Sequence, residues 1–186
     1  RFEEVDLLKA TERQMLDIRG SRIGMILQDP KYSLNPVVRV GEQIAEAYRL
    51  HRKANKAEAR SRALAMLEAV QIRDPARVFD LYPHEVSGGM GQRIMIAMML
   101  VAEPALLIAD EPTSALDVTV RMEVLNLLDE LIRSRGLGLI FVSHDLNLVR
   151  KFCDRVIIMY AGRIVEALKA SELEHAHHPY TRGLLA

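Results

Sequence analysis

Cysteine occurs once in the 186 residues, as Cys153, so neither an intrachain disulfide nor a multi-thiolate metal site can form. Neither sign of charge is in excess: Lys+Arg and Asp+Glu number 25 each. Such a chain has no global field to collect nucleic acid. No uninterrupted apolar run reaches about 18 residues, which leaves no segment fit to span a bilayer as a helix. Arg1-Phe2-Glu3-Glu4-Val5 has no apolar targeting character. Hydrophobic residues at 49% and charged residues at 27% favour a packed core over disorder. The length suits one domain, or one domain carrying an inserted lobe. The expected class is a soluble protein of a reducing compartment.

The rhythm of the chain changes twice. Thr11 to Arg19 reads as a short helix with Thr11 as N-cap and Gly20 just past its end. Arg22 to Leu27 reads as a strand that Pro30 halts. From about Val40 to Val101 the pattern is helical. Ile44, Ala47, Tyr48 and His51 share one stripe, as do Arg60, Ala63, Leu64, Leu67 and Val70. Ile94 to Val101 is apolar nearly all round, and its methionines suit core filling. After Pro104 the chain alternates: strand at Ala105–Ala109, helix at Val118–Arg133, strand at Leu137–Val142, helix at Asp145–Phe152, strand at Arg155–Tyr160. That alternation predicts a parallel sheet with crossovers. The helical middle reads as a lobe inserted into it.

Two places carry chemistry. The strand Ala105–Ala109 ends in Asp110-Glu111, and ligands of open parallel sheets sit at the carboxyl ends of the strands. Adjacent carboxylates there suit division of labour, one holding a divalent cation and one polarising water. A solvated acidic loop is the plainer alternative. Ser87-Gly88-Gly89-Met90-Gly91-Gln92-Arg93 precedes the apolar helix. Its glycines permit close backbone approach, and the helix start can receive an anion. Alone, that stretch is equally a serine-capped glycine loop.

Together these segments resemble the ABC-type ATPases. Ser87 to Arg93 is similar to the signature loop, Asp110-Glu111 to the end of Walker B, and Thr113-Ser114-Ala115-Leu116-Asp117 to the D-loop. Ile140 to Asp145 is similar to the switch-histidine strand end, and Ile26-Leu27-Gln28-Asp29-Pro30 to the Q-loop. Tyr82-Pro83-His84-Glu85, Met159 to Glu166 and His178-Pro179-Tyr180-Thr181 resemble the dipeptide, oligopeptide and nickel importer branch. The resemblance implies an α/β fold: a partial P-loop NTPase (RecA-like) core over 1–34 and 102–186, with a helical signature subdomain over 35–101. It implies an ATP-hydrolysing importer subunit with ATP and Mg²⁺ as cofactors. Its partners are a second ABC ATPase subunit, identical or related, and transmembrane permease subunits, with a solute-binding protein acting indirectly and no nucleic acid. Its place is the cytoplasmic face of the membrane. By the same resemblance, Gln28 senses the γ-phosphate and contacts Mg²⁺ or water, Asp110 holds Mg²⁺, and Glu111 is the general base. His144 contacts the γ-phosphate, Asp117 communicates across a dimer, and Ser87, Gly88, Gly89 and Gln92 belong to the loop that grips the partner's nucleotide.

Two features depart from that pattern. None of the ten glycines is followed by lysine, so the phosphate-binding loop G-x-x-x-x-G-K-[ST] is missing. The expectation is an N-terminally truncated chain with little or no ATPase activity alone. Gly91 stands where the branch usually has a basic residue. A non-catalytic docking module that supplies its signature loop in trans is the alternative function. A soluble ABC ATPase of DNA or ribosome processes fits the balanced charge less well. The histidines His175, His177 and His178 read as a solvated stretch rather than a metal site.

Overall fold

The computed structural model describes residues 1–28 and 33–185. Asp29 and Pro30, the last residues of the Q-loop match, lie outside them. The chain divides into two compact units, Arg1–Ile140 and Phe141–Ala186.

The first unit opens with α1 (Glu12–Ile18). Thr11 Oγ1 accepts from Gln14 N at 3.3 Å, and Gln14 Oε1 accepts the Thr11 N–H at 2.9 Å, a reciprocal cap that starts the helix where the sequence predicts. After β1 (Ile23–Ile26) come α2 (Val40–Arg52), α3 (Lys56–Ala69), α4 (Pro75–Phe79), a 3₁₀ turn (Pro83–Glu85) and α5 (Gly88–Leu100). All four helices fall within the stretch 35–101. The predicted stripes face inward: Ile44, Tyr48, Ala63, Leu67 and Val70 are buried. The helix α5 is buried on several sides through Ile94, Met95, Ile96 and Leu100. Gly41 is required by packing, because a Cβ there would lie 2.1 Å from the Phe79 ring; α2 and α4 can approach this closely only with no side chain between them.

The strand β2 (Leu106–Asp110) runs parallel to β1, with Ile23 opposite Leu106 and Ile26 opposite Ala109. Next come α6 (Val118–Arg135), closed by Gly136 at φ 62°, and β3 (Gly138–Val142). The sheet order is β1-β2-β3. Ile26, Leu107 and Ala109 are buried on one face, while Met25 and Ile140 on alternate positions stay partly exposed.

The second unit holds α7 (Leu146–Phe152), β4 (Arg155–Tyr160), β5 (Arg163–Lys169), a 3₁₀ turn (Ala170–His175) and α8 (Pro179–Leu185). Its core is Val149, Val156, Ile158, Ala170 and Leu173. One expectation is corrected here. The third apolar strand, β4, pairs antiparallel with β5 in a separate two-stranded sheet instead of joining β1-β2-β3. Ala161 and Gly162 at φ 47° and 75° turn the chain straight back, as two-residue hairpin loops do. Cys153 packs against this core. Burial pushes its thiol pKa up, with help from the Asp154 charge, so it stays an unreactive thiol at neutral pH.

Candidate functional site

Parallel register builds the centre of the site. With Ile26 opposite Ala109, Gln28 and Glu111 each lie two residues further along adjacent strands. Gln28 Nε2 donates to Glu111 Oε2 at 3.3 Å. Glu111 sits at φ 42°, a left-handed conformation that costs a non-glycine residue of order 1 kcal/mol and gathers at functional sites. The turn is held from behind: Ser114 N and Ser114 Oγ each donate to the Glu111 carbonyl at 3.2 Å. Asp110 is the last residue of β2 and is half-buried.

His144 follows β3 in the second unit and is exposed. Its neighbours are fixed locally, since Ser143 Oγ accepts from Asp145 N at 3.0 Å and Asp145 caps α7 through Asn147 N and Leu148 N.

The serine-glycine stretch is the start of a helix rather than a loop before one. Ser87 is the N-cap of α5, its Oγ accepting from Met90 N at 3.3 Å. Ser87 and Gly88 are exposed, and the serine hydroxyl keeps its proton available for another acceptor. Gly89 permits close packing: a Cβ there would stand 2.7 Å from Val120 Cγ1. The Ser87-Gly88-Gly89 turn therefore packs against Val120, in the segment that follows the Asp110-Glu111 turn. Asp117 in that segment caps α6, accepting from Thr119 N at 3.1 Å and Val120 N at 3.0 Å. That capping role was legible from Asp before a helical run, and the sequence reading passed over it.

Gln92 points differently from Ser87. It is 1% exposed within α5, and its Nε2 has no hydrogen-bond partner among the described residues. Arg93 was missed as a positioning group. Its guanidinium reaches Val70 O and Gln71 Oε1, each at 3.2 Å, and Glu123 Oε2 at 3.3 Å. It thereby ties α5 to the end of α3 and to α6.

Among the described residues no group of three or more His, Cys, Asp or Glu is set to hold a metal. Mg²⁺ does not need one, because it is commonly bound by one or two carboxylates together with phosphate oxygens and water. Asp110 at a strand end fits that habit. His177 and His178 are held through their backbone N–H groups, and His178 also through its ring. Glu166 Oε1 accepts from His177 N at 2.8 Å and His178 N at 3.3 Å, and His178 Nδ1 accepts from Tyr180 N at 3.2 Å.

The Thr181 hydroxyl lies beside Glu166 without reaching standard hydrogen-bond geometry to its free Oε2. Rotating the hydroxyl toward the carboxylate serves both atoms. Thr181 first, then the His177 N–H, holds the Glu166 carboxyl below its ordinary value. A carboxylate with a depressed folded pKa stabilises fully above its unfolded value, about 4.3, and loses that contribution as pH falls through the folded pKa. We expect Glu166→Gln to flatten the acid limb of a Tm-against-pH curve below about pH 4 and to lower Tm at neutral pH. Parallel curves for the two proteins would remove this role.

Comparison with known proteins places the chain. A family profile described as ABC transporter matches residues 3–114. The probable peptide ABC transporter ATP-binding protein y4tR of Sinorhizobium fredii is 52% identical over 99% of this chain and 55% of that protein. The oligopeptide transport ATP-binding protein OppD of Bacillus subtilis is 49% identical over the whole chain and 52% of its own length. The glutathione import ATP-binding protein GsiA of Escherichia coli K12 is 48% identical over 99% of this chain and 30% of its own. The chain thus spans about half the length, or less, of the curated relatives it matches. Among solved structures, the dimeric post-hydrolysis state of the ATP-binding cassette MJ0796 with ADP and Pi superposes with TM-score 0.78 at 27% identity, covering 90% of this chain and 71% of that one. CbiO1 of Clostridium perfringens gives 0.77 at 30% identity, covering 89% and 63%. These structures carry the P-loop NTPase fold expected from the sequence, and with the profile match over most of the first unit the chain belongs to the ABC transporter family.

Proposed function

We propose that the chain is the ATP-hydrolysing subunit of an importer for peptides or similar small solutes. The observation that carries this is the Gln28–Glu111 contact of 3.3 Å at the carboxyl ends of two parallel strands. It places an amide against a carboxylate where a phosphoryl group meets attacking water in this class of site. The relatives named for peptide, oligopeptide and glutathione transport support the peptide assignment, since all three cargoes are short chains of amide-linked amino acids.

In this reading Glu111 accepts the proton of the attacking water, and Gln28 holds the carboxylate in position. Asp110 would hold Mg²⁺, which supplies charge neutralisation at the phosphates. His144 donates to the γ-phosphate, stabilising charge as it develops there. Ser87 and the N–H groups of Gly88 and Gly89 grip the nucleotide carried by a second subunit. Gln92, being buried, acts only by holding α5. The working form is a pair of ATPase subunits on the cytoplasmic face of a membrane, docked to permease subunits and fed by a solute-binding protein. No helix among the described residues is long and apolar enough to cross a membrane, so the permease supplies that part.

One observation favours a second reading. Ser87 and Gly88 at the start of α5 are exposed, which leaves that turn open to a second molecule. The chain would then act as a docking module that lends its signature turn to a complete partner. ATP turnover in proteoliposomes holding permease, peptide and this subunit tests both. Peptide-stimulated hydrolysis that Glu111→Gln in this chain abolishes supports the first. Hydrolysis indifferent to that change, yet lost with Ser87→Arg, supports the second.

A further inference from the structure

A cleft of about 450 Å³ opens at the amino ends of β2 and β3, the opposite ends from Gln28 and Glu111. Its floor is apolar and buried, made by Met66 of α3 with Leu100 and Val101 at the end of α5. Arg62, Arg135 and Glu103 line its mouth. Glu103 is already matched: Arg62 Nη2 lies 3.3 Å from its Oε1 and Arg52 Nη2 lies 3.9 Å from its Oε2. Arg135 is not matched. Among the described residues its polar contact is a hydrogen bond from Nη2 to Met66 Sδ at 3.6 Å. A thioether is a weak acceptor, so the exposed guanidinium keeps its other donors for water or a ligand at the edge of the apolar floor. The α6 carbonyls near Arg135 account for some of its charge. They do not account for the recess beside it.

We infer that this cleft binds an aliphatic carboxylate, its head forked on Arg135 and its chain lying on Met66 and Leu100. The chemistry matches both halves: guanidinium takes carboxylate bidentately, and the floor takes the chain out of water. One wall comes from α3 and α5 and the other from the end of α6, so an occupied cleft links the inserted helices to the sheet. The inference stands apart from the proposed ATPase role, because none of its residues belongs to the nucleotide site.

Calorimetric titration with octanoate tests it. The expected result is saturable one-to-one binding, weakened about tenfold or more in Arg135→Gln and lost in Ala65→Phe, which fills the cleft from an exposed helical position without changing charge. Octanol, with the same chain and no anion, should not saturate. N-acetyl-Leu-Leu with a free carboxylate, set against its amide, separates the two sources of this chemistry. Tighter binding than octanoate assigns the cleft to a peptide carboxyl terminus, and weaker binding to a free fatty acid. Absence of saturation by about 10 mM, equal affinity in Arg135→Gln, or equal binding of octanol overturns the site. Should Arg135→Gln melt early, Ala65→Phe decides alone.

Discussion

On the proposed reading, Glu111→Gln in the assembled transporter is expected to leave nucleotide binding in place and to lower steady-state ATP hydrolysis by about 10²–10⁴-fold, the usual worth of a positioned general base. The substitution keeps the shape of the side chain and replaces only the oxygen that takes the proton. Gln28 donates to Oε2 at 3.3 Å and can still meet the amide oxygen of the new side chain. The left-handed turn at φ 42° is held through the Glu111 backbone carbonyl, which accepts from Ser114 N and Oγ and is untouched by the substitution. The variant should therefore fold, bind ATP and trap the closed pair. Binding by a fluorescent nucleotide analogue and phosphate release by a coupled assay read the two halves separately. Hydrolysis retained within about threefold of wild type would take Glu111 out of the base role and leave it a structural partner of Gln28. Lost binding would instead give the carboxylate a part in holding the ground-state complex.

Much of this site was legible before any coordinates, for a physical reason. A parallel strand that runs apolar through Leu106, Leu107 and Ile108 and then turns acidic can only deliver Asp110-Glu111 at its carboxyl end. Helix ends were legible too, at Thr11 and Gly136, because the capping chemistry is local. The pairing of β4 was not. The turn at Ala161-Gly162 into Arg163 was legible, but an apolar run such as Val156-Ile157-Ile158 looks the same in either kind of sheet, so its place in a separate antiparallel pair was not. Arg93 was missed for a related reason. Nothing in a Gln-Arg pair tells that its three acceptors come from the turn closing α3 and from α6. The short α4 left no trace because five residues are too few for a helical pattern to repeat.

Ser87→Arg is expected to abolish the ATP-dependent dimer while leaving the isolated subunit folded. The structural part of serine's role is the cap of α5, where Oγ accepts from Met90 N. Losing a cap costs about 1 kcal/mol, which lowers stability slightly and does not by itself prevent assembly. The larger effect comes from outside the fold. Ser87 and Gly88 are exposed, so an arginine there projects into the space that the proposed reading gives to a partner's nucleotide. Ser87→Ala separates the two effects, since it removes the same cap and adds no bulk. Sedimentation in the presence of ATP, on the hydrolysis-deficient Glu111→Gln background, should show dimer for wild-type Ser87, a weakened dimer for Ser87→Ala and monomer for Ser87→Arg. Because the turn rests on Val120 through Gly89, a change that merely unseated α5 would also lower the melting temperature of the monomer. An arginine variant that melts with the alanine one and still fails to dimerise places the defect on the outer face of the turn. A full dimer in Ser87→Arg would mean that this face does not meet a neighbouring subunit.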